Sequence, residues 1–158
     1  MSDLAELERL IRADSAERGQ AVSKLGYFCA PFRPSAGPLS DKVIKVYRGL
    51  RNVAELERLA QCHGDYVAAL ALTGVDLPET AFHLLQIDGA RIPVIVQDAL
   101  PSDSMMRPQI IAADLDGAVE MMEAAGQVIA TFWNNADKVE GRVGFHPSIR
   151  NFAYLDGK

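Results

Sequence analysis

Two cysteines, Cys29 and Cys62, are all that the 158 residues hold, too few for a disulfide framework, and neither belongs to a Cys-x-x-Cys pair. The three histidines, His63, His83 and His146, lack a ligand spacing such as two histidines one helical turn apart. Together these absences argue against a dedicated zinc site. No apolar run approaches the ~20 residues of a membrane span, and mean hydropathy is only +0.02, so no integral membrane protein is expected. The N-terminus, MSDLAELERLIRAD, is charged and lacks the apolar centre of a signal peptide. A reducing cytoplasm is therefore the expected compartment. Basic residues are in deficit, 16 Lys and Arg against 21 Asp and Glu for a net charge of −5, which argues against a broad basic surface for nucleic acid or anionic lipid. A local basic site stays open.

What is present is enough for a folded chain. Hydrophobic residues make up 49% and charged residues 23%, outside the range of disordered sequences, and a chain of this length buries roughly two-thirds of its unfolded surface. Leu4, Leu7, Leu10 and Ile11 recur on one face of a charged segment, predicting a surface helix capped by Ser2 or Asp3. From Gln20 the segments shorten: KLGYFCAPF is broken by Pro31, and residues 33–41 form a loop. KVIKVYR then reads as a strand with Val43, Lys45 and Tyr47 on one face and Ile44 and Val46 on the other. A lysine in the middle of a β-branched strand requires an explanation.

Asn52 is the expected N-cap of a long helix whose stripe is Val53, Leu56, Leu59, Ala60, Val67, Leu70 and Ala71, kinked at His63-Gly64 and ended by Gly74. AFHLLQID and RIPVIVQD follow as a hairpin around Asp88-Gly89, with Pro93 expected near a strand start or at an edge. LPSDSMMRP reads as a linker. Asp114 or Asp116 opens a last helix, with Leu115, Val119, Met122, Val128, Ile129 and Phe132 buried, and the tail ends on a second hairpin signal, Asp156-Gly157. The fold class is α+β.

This order, with Lys45 in DKVIKVYRG and a hairpin ending in PVIVQDALP, resembles the small lobe of the protein-kinase-like superfamily, nearest the aminoglycoside phosphotransferases and related small-molecule kinases. The resemblance runs over residues 22–158. After the N-terminal amphipathic helix at 1–19, it implies a small-lobe-like antiparallel sheet with one long helix at 20–102, and a partial, mostly helical large lobe at 103–158. In that family the strand lysine holds nucleotide phosphates, because a point cation on a dry strand reaches oxygens lying over the sheet. Lys45 takes that role, and Glu57 or Asp65 on the next helix would be its carboxylate. Gln97, Asp98, Ala99 and Leu100 would lie beside the purine. FHPSIRNF resembles the catalytic loop: Asn151 matches the metal-binding asparagine, His146 stands where the family has its catalytic aspartate, and Gly144 where it has a histidine.

ATP and magnesium are the cofactors implied. Two departures weaken the chemistry. A Gly-x-Gly-x-x-Gly loop is lacking, only Gly26 and Gly37 standing in its region, and Lys158 is reached before the strand that would carry the magnesium aspartate. The expectation is a nucleotide- or partner-binding module that is catalytically weak or inactive. The alternatives are a phosphotransferase completed by another chain, and an unrelated acidic adaptor or chaperone. Against each site residue stands a plain structural reading: Lys45 as an edge lysine, Glu57 and Asp65 as charges on a wet helix face, His146 and Asn151 as turn residues. Phe132, Trp133, Phe145, Phe152, Tyr154 and the methionines are expected to lack partners, predicting self-association or a partner protein at the C-terminal segment.

Overall fold

A computed structural model describes residues 3–13, 19–22, 29–47, 52–155 and 157. The fold is α+β. Helices α1 (Asp3–Arg12), α2 (Val53–Leu72), α3 (Met106–Ala112) and α4 (Leu115–Asn134) accompany strands β1 (Gln20–Ala21), β2 (Cys29–Arg33), β3 (Lys42–Tyr47), β4 (Thr80–Ile87) and β5 (Ala90–Asp98). The strands form one antiparallel sheet in the order β1-β2-β3-β5-β4. The chain divides into two compact units, Met1–Gly64 with Pro78–Ala99, and Asp65–Leu77 with Leu100–Lys158. Helix α2 runs unbroken through the suspected kink at His63-Gly64. Of the sequence features named above, Ser2, Gly26, Arg48 and Asp156 lie outside the described residues.

In the first unit, strand alternation sorts the side chains. Ile44 and Val46 of β3, Val94 of β5 and Leu85 and Ile87 of β4 join Phe32 and Leu39 in one core, which Leu7, Leu10 and Ile11 of α1 cover. Leu4, at the helix start, stays 48% exposed. Glu6 is buried as well, its carboxylate taking two hydrogen bonds from Arg9 at 2.8 and 2.9 Å, and the guanidinium beside it holds its carboxyl below the usual range. Asp88 and Gly89 both have positive φ, 50° and 78°, as the tight turn joining β4 to β5 requires.

Two prolines stand where local rules discouraged them. Pro31 does not break β2 but lies within it, opposite Lys45, and its carbonyl accepts from the Val22 N–H at 3.1 Å. A proline keeps that acceptor, so the strand continues. Pro93 lies inside β5, neither at its start nor on an edge strand, opposite Leu84. Pairing between β5 and β3 extends only from Asp98 to Val94, so β4 is the strand neighbour that Pro93 has.

The second unit begins with the end of α2. Gly74 (φ 78°) follows the helix, its N–H reaching Ala71 O and the Val75 N–H reaching Leu70 O, while Val75 and Leu70 pack together beneath Phe132. This is a Schellman termination with its apolar contact. The segment expected to be a linker instead forms a 3₁₀ turn at Ser102–Ser104 and α3, with Pro108 in the first helical turn, where N–H groups have no intrahelical acceptor. Asp114 caps α4, its side chain accepting from Gly117 N at 2.9 Å.

In the C-terminal half of α4, Phe132 is buried with Val128 beside it, as expected. In its N-terminal half Met121 and Ala125 are buried instead of Leu115, Val119 and Met122, which are 78%, 48% and 50% exposed. The helix is apolar on both faces, so periodicity alone left two choices. The aromatic residues of the tail also find partners: Phe145 lies 4.7 Å from Phe132 between ring centroids, and Phe152 and Tyr154 pack on Met106 and Met121. Trp133, 65% exposed, is the aromatic left uncovered in this group. Among the described residues the tail makes a single bridge, Met105 to Ala153, rather than a strand.

Truncation at single positions tests this burial, Leu115 and Val119 being the positions where the expected and observed faces differ. Phe132→Ala is expected to cost about 3–5 kcal/mol, whereas Leu115→Ala and Val119→Ala should stay within about 0.5 kcal/mol, as read by urea denaturation. Gly74→Ala, which forces a side chain into positive φ and sets its Cβ 3.0 Å from Thr131 Cγ2, should cost about 1 kcal/mol or more.

Candidate functional site

Strand β3 presents two lysines with opposite surroundings. Lys42 Nζ lies 2.6 Å from Asp98 Oδ1 and 3.3 Å from Asp41 Oδ2, and the Asp98 hydrogen bond, with Asp41 assisting, raises its pKa. Lys45 points to the other side of the sheet. Its ammonium donates to the neutral amide of Gln97 at 2.8 Å, and among the described residues no ion pair joins it to a carboxylate. Burial pushes its pKa down, with Cys29 acting weakly the other way. The result is a half-buried cation without an anion.

Register defines the surface around it. Pro31, Lys45, Ile95 and Phe82 form one row across β2, β3, β5 and β4, and Val43, Gln97 and Thr80 form the next. Cys29 and Tyr47, paired with each other, lie on the same face. Burial first, then Cys29, raises the Tyr47 phenol. Helix α2 reaches this face through His63, whose ring centroid is 5.8 Å from that of Phe82. Burial lowers the His63 pKa, and the positive charge of Lys45 lowers it further.

Glu57 does not meet Lys45. It is exposed, with its carboxylate 3.8 Å from Arg91. Asp65 is also exposed and belongs to the second unit. The helix residue whose electrostatics are tied to Lys45 is thus His63, which sequence reasoning passed over. A signal existed: His63 continues the stripe of Leu56, Leu59, Ala60, Val67 and Leu70 at helical spacing.

The segment expected beside a purine splits between the two sheet faces. Gln97 shares the face of Lys45, but Asp98 turns to the other, where Lys42 holds it. The backbone N–H of Asp98 donates to Glu79 O at 2.9 Å and that of Ala99 to Asp41 O at 2.8 Å. Neither N–H remains for a base.

In the second unit, His146 and Asn151 are exposed residues of one turn. Ser148 N–H donates to the His146 carbonyl at 2.9 Å, and Asn151 Nδ2 reaches the same carbonyl at 3.4 Å. This matches the plain reading of turn residues. A magnesium ion needs several oxygen ligands, usually including a carboxylate; among the described residues no group of three His, Cys, Asp or Glu side chains could hold a metal. The described residues therefore do not fit the implied magnesium. Two concavities in this unit, of about 340 and 320 Å³, are lined by none of the candidate residues.

Residues 6–158 match the model of a family described as a family of unknown function, DUF6206. The chain belongs to this family. No curated protein and no solved structure matches it. Among the described residues no helix is long and apolar enough to cross a membrane.

The contrast between the lysines yields a stability test. Because the raised Lys42 pKa stabilises the fold at pH below the unfolded lysine value and loses that contribution as pH rises through the folded value, Lys42→Met should lower the urea midpoint at pH 7 and do so less above pH 11. Lys45→Met, which removes a desolvated and unpaired charge, should leave the midpoint unchanged or raise it.

Proposed function

We propose that this family member is a kinase-like nucleotide-binding module in which Lys45 takes the phosphate groups, with phosphoryl transfer weak or absent. One observation carries the reading: Lys45 is a half-buried cation that, among the described residues, meets an amide but no carboxylate. Desolvating a charge without a partner is costly, and an anion arriving over the sheet would supply the missing partner. A lysine kept for solubility would extend into solvent. The arrangement around it also supports the resemblance. The lysine lies on an inner strand, one long helix follows, and a hairpin returns β5 beside β3.

Weak turnover follows from the same residues. His146 replaces the aspartate of the catalytic loop, and the described residues offer no carboxylate cluster for a metal. With the N–H groups of Asp98 and Ala99 already donated, affinity rests on phosphate rather than on base. The free thiols of Cys29 and Cys62 accord with a reducing, cytoplasmic setting.

A second reading, partner binding or self-association, has its own support in the exposed apolar residues Leu115, Val119, Met122 and Trp133 of α4. Sedimentation at micromolar concentrations tests it, a strict monomer being the result against self-association.

Thermal denaturation tests the primary reading. ATP at a hundred times its Kd should stabilise the fold by about 2.7 kcal/mol, and inorganic tripolyphosphate should act similarly while adenosine does not. Lys45→Met should keep the fold and lose both shifts. No shift with millimolar ATP in the unmodified chain would sink the proposal.

A further inference from the structure

The helix that follows a phosphate-binding lysine was expected to answer it with a carboxylate; here it brings an imidazole. His63 lies against Phe82, whose register row continues through Ile95 to Lys45, so two strand spacings, ~10 Å, separate the backbone position of Lys45 from that of the ring on which His63 rests. Neither ring nitrogen has a hydrogen bond or ion pair among the described residues. Both groups are half-buried, and among the described residues neither pairs with a carboxylate.

We propose that His63 is the second cationic contact of this anion site, so that phosphate binding draws a proton from solvent onto its imidazole and strengthens as pH falls. The proposal rests on the reading of Lys45 as the phosphate contact. An empty site disfavours a charged imidazole, because burial and the neighbouring ammonium both oppose it. A phosphate between them reverses the second effect. Its negative charge screens Lys45 and attracts His63, so the anion and the proton bind cooperatively.

The other ionisable groups near this face do not supply that switch. On the sheet they are Cys29 and Arg33 of β2, Tyr47 of β3 and Arg91 of β5; on α2, Cys62 and Asp65 flank His63 in sequence, and Glu57 and Arg58 precede it. Arg33 donates to the Ser40 carbonyl and Arg91 is held near Glu57. Tyr47 has its pKa raised, away from neutrality. Lys45 is the charged group whose field reaches His63.

Titration calorimetry on the full chain with ATP, without divalent cation, at pH 6.0 and 8.0 tests this in the unmodified protein, in His63→Gln and in Lys45→Met. ATP titrates in the same range, so the readout is the ratio of Kd for His63→Gln to Kd for the unmodified chain. That ratio should rise about fivefold from pH 8.0 to 6.0 for a one-unit pKa change on binding, for which about tenfold is the upper limit. In parallel, ATP should raise the pH at which the His63 ring proton resonances titrate. A ratio equal at both pH values, with ATP still bound through Lys45, overturns the role of His63 and leaves the phosphate reading standing. Absence of ATP binding to the unmodified chain at either pH overturns both. Circular dichroism of His63→Gln checks that a lost affinity is not a lost fold.

Discussion

Strand β3 lies between β2 and β5, and its two-residue alternation is the constraint on which the first unit depends. Ile44 and Val46 must enter the core that α1 covers, because a slip of one residue would bury lysines and expose the branched side chains. Once that register is set, Lys45 has no choice of side. It must stand on the face that α2 approaches through His63, beside Gln97 and away from Asp98. The electrostatics of the site are thus a consequence of packing on the opposite face.

The same alternation explains why a contiguous sequence segment did not act as one unit. Gln97 and Asp98 are neighbours in the chain but sit on opposite faces, each holding a different lysine of β3. Lys42 receives carboxylates and has its charge favoured; Lys45 receives an amide and has its charge disfavoured. Two residues of the same type, three positions apart, therefore carry different chemistry. The candidate residues of the tail, His146 and Asn151, share one turn, in which the Asn151 side-chain amide donates to the His146 carbonyl.

Features governed by near neighbours were legible. Asn52 and Asp114 cap helices, their side chains accepting from Ala54 and Gly117 N–H groups, Gly74 terminates α2, and Asp88-Gly89 turns the hairpin, because each rests on backbone groups within a few residues. Pro31, Pro93 and the Pro101–Pro108 segment were misread because a proline's effect depends on whether a partner needs its absent N–H at that place. The N-terminal half of α4 buries a face other than the expected one for a related reason. With apolar side chains on both sides, the helix took the face that met Leu70, Met106 and Phe145.

By itself, the sequence determined the class of fold, the helix ends, the hairpin and the unusual position of Lys45 in a branched strand, since these follow from short-range backbone chemistry and a period of two. Tertiary structure decided what Lys45 meets. Glu57 and Asp65 were the obvious candidates by charge, yet the inner face of α2 belongs to the stripe that includes His63, and helical geometry turns the acids outward. Which residue faces a strand across a helix depends on the rotation of that helix about its axis. Packing of its apolar stripe sets that rotation, and the identity of its charges does not.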